Sequence, residues 1–196
     1  MIGLSVHKNG RFVCNAGLPE LAALSSRIHG GLLDGSAASF DVAGMQDLPG
    51  GRLAHVYWAH ATALDVGDSL VFVLINSDAA DAPIETVAID SVGYFQEQQE
   101  YDAFEQGHRG PEPLAQRRRS SLEFRFSLRD DEVVARLPAG GDHMVCLLAW
   151  HKGEPDICRV VAQSSSGTQQ GAASTTTEWL SGELRVGDSF EVSIHA

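Results

Sequence analysis

Histidine, cysteine and carboxylate side chains supply the acids, bases and metal ligands of most protein sites. This chain of 196 residues carries eight histidines and three cysteines. His55 and His60 stand five positions apart, a spacing that sets them on opposite faces of a strand and well apart around a helix, so they are poorly placed to chelate one ion. His143, Cys146, His151 and Cys158 are soft ligands by type, but no interval among them matches a zinc knuckle. Cys146 also lies within VCLLAW, which reads as a buried strand. Walker, dinucleotide-binding and HExxH patterns do not occur. We therefore expect neither metal nor cofactor. Many carboxylates, among them Asp78, Asp81, Asp130, Asp131 and Asp156, fall in turn-like contexts, and only the fold could assemble them into an acid–base pair. No catalytic residue is assigned. Trp58 and Trp179 occur at matching places in two similar stretches; a core role is expected, with stacking on a ligand or partner as the other use of an indole. Trp58, Trp179, His55 and His60 are thus the candidate binding residues.

Ser69 needs separate treatment, because Gly67-Asp68-Ser69-Leu70 spells the four letters that name the GDSL serine hydrolases. That family sets its serine on a turn leading from a strand into a helix. Here Ser69 is followed by Leu70, Val71, Phe72, Val73, Leu74 and Ile75, a strand. The family's later glycine–asparagine block and closing DxxH are missing, and the letters return as Gly187-Asp188-Ser189-Phe190. Glycine supplying a left-handed turn and aspartate capping it account for the phrase without a nucleophile.

The elements that would position these residues are strands. Leu122, Phe124, Phe126 and Leu128 alternate with polar residues, the period of a half-buried strand. A turn at Asp130-Asp131 would pair Leu128 with Val133, Phe126 with Ala135 and Phe124 with Leu137. Asn9-Gly10 marks a second hairpin, both residues tolerating the positive φ of a type I′ turn. From Gly10 to Trp58 and from Asp131 to Trp179 the interval is the same, and LDVGDSLVFVL at 64–74 returns as LRVGDSFEVSI at 184–194 with one residue of slip. His29 precedes Trp150 by 121 positions, the same offset that separates Gly10 from Asp131. These matches predict two tandem related β copies, sandwich- or barrel-like, spanning 1–92 and 122–196. Between them, 93–121 reads as a short amphipathic helix carrying Tyr94, Tyr101 and Phe104 on one face, then a linker ending in three arginines. Ser164–Thr177 is small and polar and reads as a long loop. Leu70, Phe72 and Leu74 should face one core and Phe190, Val192 and Ile194 the other; because Val71 and Val73 are also apolar, the first of these strands should be covered on both faces.

With Asn9, Gly10, Cys14, Ala16, Gly17, Trp58, Leu64, Val66, Gly67 and Asp68, the first 90 or so residues resemble a group of small bacterial β-rich proteins that share an NG hairpin, a C-x-AG strand end and an L-x-VGD-x-V strand. That resemblance implies the β architecture and no activity. The second copy lacks the NG and the C-x-AG.

Fourteen basic against 26 acidic residues leave a net charge of −12, which repels nucleic-acid phosphates and anionic lipids and attracts a basic partner. Three cysteines without CxxC spacing argue against a disulfide framework, and neither a signal peptide nor a membrane span is legible. Together these features point to a cytoplasmic, non-enzymatic binding or inhibitor protein, such as an immunity protein that occludes a toxin. The alternative is an enzyme, or a small-ligand or carbohydrate-binding protein, with a pocket between the two copies.

Overall fold

Apolar residues at every second position can bury one face of an extended chain only against a second such face. This chain does so with two antiparallel sheets. The computed structural model describes residues 1–30, 37–89, 121–137, 142–166 and 175–196. The first sheet contains β1 (Ile2–Lys8), β2 (Arg11–Ala16), β6 (Ser69–Asn76), β8 (Leu122–Leu128), β9 (Asp131–Leu137) and β13 (Ser189–His195), in the order β2-β1-β6-β13-β8-β9. The second contains β3 (Leu21–Gly30), β4 (Ala38–Leu48), β5 (Arg52–Leu64), β7 (Glu85–Ile89), β10 (Asp142–His151), β11 (Cys158–Ser166) and β12 (Thr175–Leu184), in the order β12-β11-β10-β3-β4-β5-β7. The sheets pack as a sandwich over one hydrophobic core that draws on both halves of the chain. Among the described residues there is no helix; the helix and linker expected over 93–121 lie, except for Ser121, outside them.

Leu70, Phe72 and Leu74, like Phe190, Val192 and Ile194, are buried as their alternation requires. Phe72, Phe190, Phe126 and Phe124 form a row across the first sheet, with successive ring centres 6.4, 6.2 and 6.3 Å apart. Full burial of each such ring is worth about 1.5–3 kcal/mol. The opposite face of β6 differs from expectation. Val71 and Val73 are only half-buried, between Ser5 and His7 of β1 on one side and Ser189 and Glu191 of β13 on the other. An apolar residue on a sheet's outer face needs no cover when its cross-strand neighbours are polar and already bring water to it.

The two VGDS turns hold the first sheet together at its centre. Gly67 and Gly187 sit at φ 95° and 92°, in the region that favours glycine. The N–H of Gly67 donates to the carbonyl of Ile194 and that of Gly187 to the carbonyl of Leu74, each 2.8 Å. In return the N–H of Ile194 donates to Asp68 O, and that of Leu74 to Asp188 O. Each aspartate also caps its own turn, Asp68 Oδ2 accepting from the Asp65 N–H and Asp188 Oδ2 from the Arg185 N–H, both 2.9 Å. Each then receives the neighbouring hairpin turn. Asn9 (φ 53°) donates through Nδ2 to Asp68 and accepts the Ser69 N–H, while Lys8 bonds Asp68 and Ala63 O. Arg129 (φ 57°) likewise bonds Asp188 and Glu183 O. Burial pushes the Asp68 carboxyl up, but hydrogen bonds from Asn9, the Asp65 N–H and Lys8 outweigh it and hold it at about 2.

Arg129 also corrects the second hairpin. The turn is Arg129-Asp130, so Leu128 pairs with Asp131, Phe126 with Val133 and Phe124 with Ala135. The expected pairing was two residues out. A shift of two preserves which side chains face inward, so alternation alone cannot detect it. Both described ends of the loop expected over Ser164–Thr177 are strand instead, and 167–174 lie outside the described residues. β11 runs to Ser166 and β12 begins at Thr175, with Ser164 opposite Thr177. Ser164 is 5% exposed, and its hydroxyl accepts the Trp179 indole N–H at 2.9 Å, so the buried polar group at this point of the β11–β12 ladder is satisfied.

Candidate functional site

The outer face of the seven-stranded sheet departs furthest from a plain solvated surface. Small residues at Ala23 and Ser25 of β3 and Ala43 of β4 leave a trough of about 340 Å³ between longer neighbours. Arg27 and Asp41, opposite each other in register, stand at one end. Met45 and His55 stand at the other, with Tyr57 and His60 of β5 along the side.

His55 and His60 come together here because β5 is irregular. Ala43 pairs with Tyr57 and Val42 with Ala59, leaving Trp58 as a bulged extra residue. An extra residue reverses the alternation beyond it, so the odd interval that should separate the two histidines instead puts both on one face. A second extra residue follows at His60–Ala61, between the Val42–Ala59 and Phe40–Thr62 pairs. In β12 the first irregularity recurs, with Trp179 bulged between Glu178 and Leu180, but the second does not. The one-residue slip between the repeated phrases therefore has a location, and it lies in the wall of the trough.

Tyr57 is the centre of the cluster. Its hydroxyl lies 3.3 Å from His55 Nδ1, and its ring centre is 4.8 Å from that of His60. His60 Nε2 is 2.8 Å from Glu85 Oε2 on β7, the residue paired with Tyr57. Both side chains of that pair are about half exposed, 53% and 49%. Burial raises the Asp41 carboxyl above its ordinary value, against the opposing pull of Arg27, His29 and His60. Burial lowers His55, with Arg27 adding to the effect. His143 of β10, its ring 5.8 Å from that of His29, is lowered by burial and then by His29.

The other residues singled out from sequence lie elsewhere. Trp58 faces inward at 4% exposure, its Nε1 donating to Asp81 O at 2.9 Å, and Trp179 packs half-buried against the core. Their indoles are packing groups whose N–H is satisfied within the sandwich. His29 and Trp150, matched by interval, point to opposite faces, since His29 pairs with Val145 on the outside and Trp150 with Leu24 in the core. His143 and Cys146 are divided in the same way, and all three cysteines are free and buried, their thiols pushed up by burial. Among the described residues no group of three His, Cys, Asp or Glu is placed to hold a metal ion. Ser69 sits at the start of β6, its N–H taken by Asn9. Two hydroxyl–imidazole pairs lie on the first sheet, Ser5 with His7 at 3.2 Å and Ser193 with His195 at 3.0 Å. Among the described residues no carboxylate hydrogen-bonds either ring, so neither pair has the third group that orients a general base.

Sequence reasoning named His55 and His60 but missed Arg27, Asp41, Tyr57 and Glu85. The polar Asp41 inside the apolar alternation of FDVAGM was the available signal, since it marks the outer face of β4. No family model matches this chain, and no curated protein or solved structure is significantly similar to it. No helix among the described residues is long and apolar enough to cross a membrane.

Proposed function

We propose that this protein is a non-enzymatic binding protein whose recognition surface is the outer face of the seven-stranded sheet around Tyr57, and that its partner is a basic protein. An inhibitor or immunity protein that occludes a toxin is the specific form this takes. The observation that carries the reading is the trough itself. It gathers an aromatic ring with Arg27, Asp41, His55 and His60 on the outer face of a sheet, the mixture of aromatic and charged groups that protein interfaces use. The net charge of −12 supports a basic partner through long-range attraction. Three free thiols suit a reducing cytoplasm.

The strand order supports the further reading that 1–92 and 122–196 are related copies. β1, β2 and β6 occupy half of the first sheet, and β8, β9 and β13 the other half in mirrored sequence. The reciprocal bonds of the two VGDS turns and the shared tryptophan bulge argue the same way. A small-ligand pocket between the copies has less support, since the trough is lined entirely by residues of the first half.

The test begins with capture of the partner by the full chain from its native cell. Binding is then compared for the wild-type protein and Tyr57→Ala, with the association rate measured from about 20 to 500 mM salt. Loss of roughly tenfold or more in affinity for Tyr57→Ala, with an association rate that falls steeply with salt, is expected. Unchanged affinity would remove this face from the reading, and a salt-indifferent rate would remove the basic partner.

A further inference from the structure

Glu85 and Asp41, the carboxylates around Tyr57, each have an imidazole nearby, whereas Asp47 farther along β4 pairs with Lys152. His60 lies 2.8 Å from Glu85, and His29 and His60 both act electrostatically on Asp41. While the imidazoles are neutral, half-exposed Glu85, opposite Tyr57 in register, and Asp41, opposite Arg27, keep their negative charge, an arrangement that suits a lysine or arginine side chain at the Tyr57 ring. Once protonated, His60 takes the charge of Glu85 for itself, and His29 joins Arg27 in offsetting Asp41.

We propose that the outer face of the seven-stranded sheet is a docking surface for a cationic side chain that acid releases, His60 and His29 being the groups whose protonation turns Glu85 and Asp41 inward. The inference rests on the reading that this face binds a basic partner, and adds how that binding is regulated. Five strands contribute to the balance around this patch. β3 brings Arg27 and His29, β4 brings Asp41, and β5 brings His55, Tyr57 and His60. β7 brings Glu85, and β10 brings His143, with His151 at its far end. Arg27 is positive throughout. On acidification the remaining changes all add positive charge, and the surroundings move the same way, since protonating all eight histidines takes the net charge from −12 to −4.

The discriminating experiment uses the full chain and the peptide amide Lys-Arg-Lys-Arg, with affinity measured by calorimetry and location by amide shifts, at about pH 7.5 and pH 5.5 in about 50 mM salt. For the wild-type protein we expect shifts centred on Tyr57 and Glu85 and roughly fivefold weaker binding at the lower pH, the scale of two surface ion pairs. The double variant His29→Gln/His60→Gln, whatever its affinity at the higher pH, should lose less than about twofold on going to the lower one, because only the general change in charge remains. Glu85→Gln should bind weakly at both. Equal losses in wild type and the double variant, with the peptide on this face, would overturn the gate and leave the docking surface standing. Peptide shifts that avoid Tyr57 and Glu85 at the higher pH would overturn the docking surface and the gate together.

Discussion

At the scale of single residues, the aspartate of each VGDS phrase does structural work, and Ser69 beside the first of them is not expected to act as a nucleophile. Ser69 opens a strand, with Asn9 holding its N–H. A fluorophosphonate probe should therefore leave Ser69 unlabelled after full reaction of a control hydrolase, as intact-mass measurement would show. Asp68 joins two turns, receiving Asn9, Lys8 and the Asp65 N–H. Because its folded carboxyl lies at about 2, below the ordinary value near 3.8, its contribution to stability is present above about pH 4 and is lost as pH falls toward 2. Asp68→Ala should cost about 1–3 kcal/mol in urea unfolding at neutral pH. The difference from wild type should shrink between pH 4 and pH 2; a constant difference would mean that the charge of Asp68 is not what holds the turns.

At the scale of elements, the outcome is governed by which face a residue occupies. Phe72 and Val71 are adjacent in β6, yet Phe72 is fully buried and Val71 half-buried beside His7 and Glu191. Phe72→Ala should cost about 3–5 kcal/mol through the cavity it leaves. Val71→Glu should cost only about 1 kcal/mol, part of it from the like charge of Glu191 across the pair. A cost above about 3 kcal/mol for Val71→Glu, read from the urea midpoint, would mean that this face is covered after all. Glycine sets the spacing between the sheets in the same positional way. A Cβ at Gly30 would overlap the buried Phe124 ring, so the second sheet approaches the first closely there.

At the scale of the whole molecule, the two halves share everything that would let either stand alone. β6 pairs with β13 in one sheet and β3 with β10 in the other, and a single core spans both halves. Separating them would open two strand edges on each half and part Phe72 from the other three phenylalanines of the row. We expect residues 1–92, expressed alone, to lack the dispersed amide spectrum of a folded protein, and to gain it when 122–196 is added. A well-dispersed spectrum for 1–92 by itself would show that each half is an independent domain. Continuity of the second sheet across the halves also places His143 of β10 beside His29 of β3.

Strand identity, inward-facing residues and the positions of the glycine turns were legible in the sequence because they depend on local periodicity and on conformations open to few residue types. The alternation of Phe124 and Phe126, the VGDS turns and the Asn9-Gly10 turn required nothing beyond neighbouring residues. Register and bulges were not legible, since they depend on a partner strand. The true turn at Arg129 is fixed by its bonds to Asp188 and Glu183, more than fifty residues away. The trough illustrates the same limit most directly. His55 and His60 read as opposed by strict alternation and meet only because Trp58 is bulged against β4, while Arg27, Asp41 and Glu85 join them from three other strands. Parity along one strand is a local property; which residues share a patch is settled by how many positions each strand spends against its neighbour.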